Sequence, residues 1–522
     1  MSSISLKNPA KIAEVVITDP RLLGLDDFMA VVRFHAKVTF SESFCEAVRA
    51  NRKLIDKFLE EGRIIYGVTT GFGENVRYTI KPDDAITLQK NIVRSHACAV
   101  GTPLTEEQAR AVMLTTITNL GQAHSGIRLE TLELIRNYLN LDLVPFAPGE
   151  GSVGYLGVEA HLVMAYIGEG FILKNGEKIP SLELMKEKGL SPVELQCKEG
   201  LSMLNGTITV TALALLASYD SIITMKNVEI AGALCYEALR GTTKALDERI
   251  HLNKNHVEQQ NSADNLRRML EGSEISEAYR DNKVQDAYVL RGMPQIHGAA
   301  YRLVKEAYEV IVEEMHSVSD NPEIFDTEDG RGEALMCGNF DGTFVGSHAD
   351  MIGMAAAIAG NQAERCINRM VDRNLNDGLP AFLVTNPGLN NGFMIPQYTA
   401  AGLQNEIKLL AVPATIDSIP TCAGQEDPVS MGYNAAKRAG EAVRKLQYIV
   451  AIDIMVALQA IDLLKPLKQG ECTGKIHDFI REKVAFADGD RVFYTDIECI
   501  FELVRDGSLV DLVEDAIGGI YL

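Results

Sequence analysis

The feature that most limits how this chain can fold is a series of long stretches with apolar residues recurring at every third and fourth position. They lie at about 207–240, 295–317, 346–370, 396–411 and 428–464. That spacing places the apolar side chains on one face of a helix, and most of the stretches exceed the average helix of about 11–12 residues. Two pieces, Ile208–Ala217 and Met351–Ile358, are apolar nearly all round. A helix of that kind has no face for water and must be buried inside a bundle or between subunits. The expectation is a mostly α protein. Before residue 205 the patterns are shorter and mixed. Val31–Val38 reads as a strand, Phe44–Leu59 and Leu88–Val100 read as helices, and Thr105-Glu106-Glu107-Gln108 is a capping box that opens a helix to about Leu120. The chain divides near residue 205 into a mixed part with glycine-rich loops, 1–205, and a long-helix part, 206–522. Residues 245–285 are polar and read as mobile surface.

Charge and cysteine usage narrow the function classes. The chain carries 50 basic and 71 acidic residues, a net charge of −21, which disfavours nucleic acid and anionic membrane as partners. Nine cysteines include no Cys-x-x-Cys pair, and residues 1–9 hold no apolar leader, so a reducing, cytoplasmic setting is expected. The best candidates for a membrane span, Ile208–Tyr219 and Ile449–Leu464, are too short or carry Asp453 and Asp462. The ten histidines are dispersed, with no His-Glu-x-x-His, and no metal is expected.

Two glycine-rich segments stand out. Ile64–Gly73 carries Gly67, Gly71 and Gly73 beside Tyr66, which marks a loop. Gly149, Gly151, Gly154 and Gly157 fall within nine residues, which lets the backbone turn sharply and approach itself closely. The second segment reads Gly151-Ser152-Val153-Gly154-Tyr155-Leu156-Gly157.

These segments are joined by Ser95-His96, Lys198–Thr207, Val284–Arg291, Ser319-Asp320-Asn321-Pro322, Gly338-Asn339-Phe340, Asn391–Ile395 and Gln425-Glu426-Asp427. In that order they resemble the motifs of the aromatic amino acid lyases, the family of histidine and phenylalanine ammonia-lyases. The resemblance implies a fold of the ammonia-lyase/fumarase–aspartase-like type, a long central helical bundle with a smaller mixed amino-terminal part. It implies a homotetramer with sites shared between subunits. It also implies Tyr66 as the base for the carbon-bound proton, Tyr288 as a second tyrosine near that proton, and Arg291 as the clamp on a substrate carboxylate, a task the guanidinium fork suits. A free tyrosine ionises only at about pH 10, so Tyr66 needs an environment that lowers that value; otherwise its hydroxyl simply pins the glycine loop. The spacing of Gln285, Tyr288 and Arg291 sets them on one face of a helical turn. Asn205 and Gln285 would add neutral hydrogen bonds, although Asn205 also reads as a helix cap before Thr207. His96 and Glu426 resemble the histidine-specific branch, because a carboxylate accepts from imidazole N–H groups; otherwise they are a satisfied core histidine and one half of an ion pair. Phe340 and Met394 are apolar walls of the pocket or ordinary core.

The chain departs from the family where the chemistry is made. The family's Ala-Ser-Gly cyclises and dehydrates to an electrophilic methylidene-imidazolone (MIO). Here the triplet is Tyr155-Leu156-Gly157, and Leu156 has no hydroxyl to lose, so no cofactor is expected. Val158-Glu159-Ala160-His161 replaces Asp-Leu-Ala-Pro, and Asp341-Gly342-Thr343 stands where the histidine enzymes carry His-Ala-Glu. Without an electrophile to capture an amine, the departing nitrogen must arrive already activated. A trimethylammonium is permanently cationic, has no proton to lose to the base, and departs as a neutral amine. The expected substrate is therefore a small-molecule histidine betaine. The expected reaction resembles that of the family's ergothionase branch, ergothioneine to thiourocanate with release of trimethylamine. Tyr155 either faces the cation through its ring or fills the vacated volume. The alternatives are a lyase for another substrate with a good leaving group and a non-catalytic binder of imidazole acids. An ordinary ammonia-lyase needs a dehydrated residue that Leu156 cannot supply.

Overall fold

Five helices form on the five periodic stretches: α1 (Ile208–Ala238), α2 (Met293–Met315), α3 (Thr343–Val371), α4 (Met394–Leu410) and α5 (Gly432–Asp462). They belong to a computed structural model that describes residues 4, 6–81 and 84–522. The amino-terminal stretch 1–9, expected to lack an apolar leader, lies partly outside the described residues. α3 packs along α5, α5 along α1 and α2 along α3, while α4 covers α3 and α5. The chain is thus mostly helical and built on a long bundle. On α1 every residue except Asp220 and Ile223 is buried, as its all-round apolar character requires. Each buried Leu, Ile or Val there contributes about 2 kcal/mol by leaving water. The run Glu199–Ala238 is long and apolar enough to cross a membrane, more than the short segment expected from sequence, but 94% of its most apolar window is buried inside the protein.

The amino-terminal part packs shorter elements on this bundle. The capping box is realised at Glu106–Leu120: Thr105 Oγ1 accepts from Gln108 N at 3.2 Å, and Gln108 Oε1 accepts from Thr105 N at 3.0 Å. The strand expected at Val31–Val38 is instead the end of a helix, Leu25–Val32, a turn, and a strand, Lys37–Phe40, paired in parallel with Glu14–Ile17. His35, at φ 57°, sits in that turn. The polar region 245–285 is not loose surface either. It forms helices at Glu248–Leu252, Val257–Met269 and Glu274–Ala278, with Glu258, Gln259 and Asn265 buried.

Among the described residues, most buried apolar side chains fall into two clusters. The larger runs through the bundle and the amino-terminal helices alike. The smaller, of Ile55, Phe58, Ile65, Val68, Ala85, Cys197 and Ile324, lies under the loop that carries Tyr66. Gly67, at φ +65°, lies at the bend of that loop; a side chain there would overlap Leu201 and Phe72.

Candidate active site

One cavity of about 430 Å³ collects residues from seven separated segments: Tyr66, Phe72, Gly73, Glu74 and Asn75; Leu88, Asn91, Ile92, Ser95 and His96; Tyr155 and Leu156; Leu201 and Asn205; Asn321; Phe340; and Cys422 and Glu426. Its size falls within the roughly 300–1,000 Å³ usual for small-molecule sites. Of the residues singled out in the sequence, Tyr66, His96, Tyr155, Leu156, Asn205, Phe340 and Glu426 meet here.

Tyr66 begins the glycine loop, and its phenolic oxygen accepts the Gly73 N–H at 2.8 Å. Burial pushes its ionisation up, the Gly73 N–H opposes that, and the Glu426 carboxylate adds to the rise. Gln89 Nε2, donating to Gly67 O at 3.1 Å, fixes the loop from the helix Ala85–His96. His96 closes that helix, with Nδ1 3.0 Å from Ser95 Oγ; burial pulls its imidazole pKa down.

Tyr155 donates its hydroxyl to Glu426 Oε2 at 3.0 Å, and Thr421 Oγ1 donates to the same oxygen at 3.2 Å. Burial first, and then Glu426, hold the Tyr155 hydroxyl firmly protonated. Its ring meets Phe340 edge to face, centroids 5.4 Å apart, to form an aromatic corner. Leu156 follows at φ 74°, ψ −55°, with Gly157 N donating to Tyr155 O at 2.9 Å. This is a γ-turn of the rare, strained hand, at the entrance to the helix Gly157–Tyr166.

Beneath the cavity Lys198 Nζ reaches Asp320 Oδ2 at 2.5 Å and Ser202 Oγ at 2.9 Å, with both ionic side chains fully buried. The next residue, Asn321, accepts from Asn205 Nδ2 through its carbonyl at 3.2 Å. Asn205 ends the helix Glu199–Leu204; the cap of α1 is Thr207. Asp341 Oδ1 accepts from Thr343 N at 3.0 Å at the start of α3.

Gln285, Tyr288, Arg291 and Met394 do not join this cavity within one chain. Gln285, Tyr288 and Arg291 are exposed, Tyr288 by 67%. Only Tyr288–Arg291 is helical, so the expected single face of three is not formed; Arg291 lies over the Tyr288 ring at 5.1 Å instead. Met394 opens α4. Cys422, which sequence reasoning passed over, lines the cavity four residues before Glu426. The signal available was only its closeness to the Gln425-Glu426-Asp427 motif. One group with the composition of a metal site, His35, Glu106 and Asp142, is exposed; its Asp142 Oδ1 is already engaged by Arg110 and His35, each at 2.8 Å.

Behind the turn, Glu159 is buried with Oε2 unpaired and Oε1 accepting from Thr209 N at 3.3 Å. Burial pushes its carboxyl up to about 7. The folded chain therefore holds this proton more tightly than the unfolded chain does. The stabilisation is full below the ordinary carboxylate pKa of about 4.3 and is lost as pH rises through 7, about 3 kcal/mol in all. Glu159→Gln is expected to outlast the parent in denaturant at pH 8 more than at pH 5. An equal difference at both pH values rules this out.

Residues 23–482 match the family described as aromatic amino acid lyase. The histidine ammonia-lyase of Alkaliphilus oremlandii (strain OhILAs) is 42% identical over 505 residues, covering 96% of this chain and 99% of the relative. The crystal structure of histidine ammonia-lyase from Trypanosoma cruzi superposes with a TM-score of 0.89 at 36% identity, covering 96% of this chain and 95% of that one. The ergothioneine-degrading ergothionase from Treponema denticola, solved with desmethyl-ergothioneine sulfonic acid, superposes with a TM-score of 0.87 at 26% identity, covering 95% of this chain and all of that one.

Proposed function

This chain belongs to the aromatic amino acid lyase family, and from that premise we propose that it is a carbon–nitrogen lyase that works without the family's prosthetic electrophile, converting a histidine betaine, ergothioneine, to thiourocanate and trimethylamine. The observation that carries this reading is the side chain at the γ-turn: Leu156 is a hydrocarbon, and the methylidene-imidazolone requires a hydroxyl at that place. The residues present do not fit that group. Overall likeness is greater to the histidine ammonia-lyase, 42% against 26% for the ergothionase. That likeness is spread over a scaffold that can host either reaction, whereas the leaving-group chemistry is decided at the site.

The rest of the cavity supports the same reading. Among the described residues both side-chain donors to Glu426 reach Oε2 and none reaches Oε1, so Oε1 can accept a ring N–H. The corner of Tyr155 and Phe340 offers aromatic faces, which attract quaternary ammonium by about 0.5–2 kcal/mol each. A cation seated about 5 Å from the Tyr66 oxygen is worth about 3 kcal/mol to the phenolate at an effective dielectric of about 20, roughly two pH units. The substrate's own charge thus offsets the burial that holds Tyr66 protonated. Tyr155, donating to Glu426, is not the base in this scheme. Gln285, Tyr288, Arg291 and Met394 reach the cavity from other copies of the chain in a homotetramer, Arg291 holding the carboxylate.

The test is to mix the purified protein with ergothioneine and follow near-ultraviolet absorbance and free trimethylamine. Glu426→Gln is expected to lower kcat/KM roughly 10- to 100-fold, the worth of a hydrogen bond to a charged group. Saturable binding without turnover would instead mark a binding protein. Ammonia released from plain histidine would overturn the reading altogether.

A further inference from the structure

The two cavity segments that carry Tyr66 and Glu426 are far apart in sequence, and Gly73 and Cys422 meet where they pack together. Gly73, at φ +53°, has a bare α-carbon against the Cys422 sulfur, so that a β-carbon on Gly73 would overlap Sγ. The turn presenting that sulfur is unusual: Cys422, Ala423 and Gly424 have successive φ values of 52°, 55° and 84°. For the first two this left-handed backbone costs about 1–2 kcal/mol each. Thr421 and Glu426 close the turn, Thr421 N donating to Glu426 O at 2.8 Å, and Gly424 N donates to Thr421 O at 2.9 Å. One strained turn therefore aims Glu426 into the cavity and presses Cys422 on the glycine whose N–H is donated to the Tyr66 oxygen at 2.8 Å.

We propose that Cys422 is a positioning residue for Tyr66: its sulfur holds Gly73 in place, so that the Gly73 amide stays on the phenolic oxygen and favours the phenolate. The proposal rests on the reading of Tyr66 as the base. The titratable groups facing that phenol are Glu426 and Cys422 from the turn, His96 from the helix Ala85–His96, Tyr155 from the γ-turn, and Glu74 on its own loop. Burial most of all, then the Glu426 carboxylate and last the charge of an ionised Cys422, oppose the phenolate, and the Gly73 N–H counters them. The neutral Cys422 thiol therefore acts on Tyr66 through its packing on Gly73 and not through charge. Removing the sulfur frees Gly73 without touching the backbone hydrogen bonds that place Glu426.

Two measurements on the full-length protein decide the matter. Tyr66 ionisation is read as the phenolate absorbance difference against Tyr66→Phe, in the parent and in Cys422→Ala; the absence of tryptophan leaves tyrosine to dominate the signal. The midpoint is expected to move up by about one pH unit, the scale of a lost hydrogen bond to a charged oxygen. With ergothioneine as substrate, the acid limb of kcat should follow, roughly a 10-fold fall at neutral pH, with KM little changed. Conversely Gly73→Ala should lose activity, and the Gly73→Ala/Cys422→Ala double variant should regain part of it, because the new methyl takes the place of the sulfur. An unmoved midpoint, or strictly additive effects in the double variant, overturns the proposal. A midpoint that moves while the acid limb of kcat stays put leaves the coupling standing and removes Tyr66 as the base.

Discussion

Tyr66→Phe is expected to lower kcat for trimethylamine release by about 10³-fold, with ergothioneine binding nearly unchanged. A positioned general base contributes roughly 10²–10⁴-fold, and the carbon-bound proton of a betaine is a weak acid that water removes slowly. The substitution keeps the ring, its edge-to-face packing on Phe72 with centroids 6.4 Å apart, and the cavity's shape. It removes only an oxygen that, among the described residues, is hydrogen-bonded to the Gly73 amide alone. Binding rests on other groups: Glu426, the Tyr155–Phe340 corner and Asn205 line the same cavity. The other tyrosine that lines the cavity within the same chain does not substitute, because Tyr155 is held protonated by burial and by Glu426. His96, drawn down in pKa and so neutral, is the residue that would take over if this assignment were wrong. The measurement is kcat and Kd for the pair of proteins; a variant that keeps more than a tenth of the parent's kcat removes Tyr66 from the mechanism.

The second large effect is on stability, at the pair of Lys198 and Asp320. Both side chains have no exposure, and each has a second partner: Lys198 bonds Ser202 Oγ at 2.9 Å and Asp320 Oδ1 accepts from Asn321 N at 2.7 Å. Removing one member strands the other as a buried, uncompensated charge, which costs about 3–5 kcal/mol, whereas replacing both by apolar groups of similar volume is often near neutral. Lys198→Met and Asp320→Asn are each expected to lower the denaturant midpoint strongly, and Lys198→Met/Asp320→Leu to recover most of the loss. For a large helical protein the same ordering should appear in inactivation half-lives at fixed temperature. Single variants as robust as the parent, or a double variant no better than the worse single one, contradict it. The pair also bears on activity, because Asn321 carries the hydrogen bond to Asn205 at the cavity wall.

How far the sequence could be read depends on what kind of information each feature needs. The bundle was legible because burial of a helix depends on local spacing alone: the stretch read at 207–240 is α1, Ile208–Ala238, and that at 428–464 is α5, Gly432–Asp462. Val31–Val38 misled because β-branched residues at the end of one element and the start of the next merge into one run when the αL turn at His35 is invisible. The polar helix Val257–Met269 was hidden for another reason. Its buried Asn265 bonds the Tyr521 backbone, a partner 256 residues away. The cavity shows the same divide. Residue types at Tyr66, His96, Asn205 and Glu426 were recognisable by resemblance. The contact of Cys422 with Gly73 needs positive φ at residues without a glycine's signature. The exposure of Gln285, Tyr288 and Arg291 is likewise a matter of where the chain goes, which no short motif encodes.

The bend at Leu156 is not of that residue's choosing. Leucine is a poor occupant of such a conformation, at a cost of about 1–3 kcal/mol, yet its N–H is donated to Leu204 O at 3.0 Å and its carbonyl accepts from Ala160 N at 3.1 Å. Neighbouring segments impose the shape, and the occupant merely complies. Contour and reactivity at this spot therefore have separate origins: the surrounding backbone sets the bend, and the side chain at position 156 sets which groups are offered there.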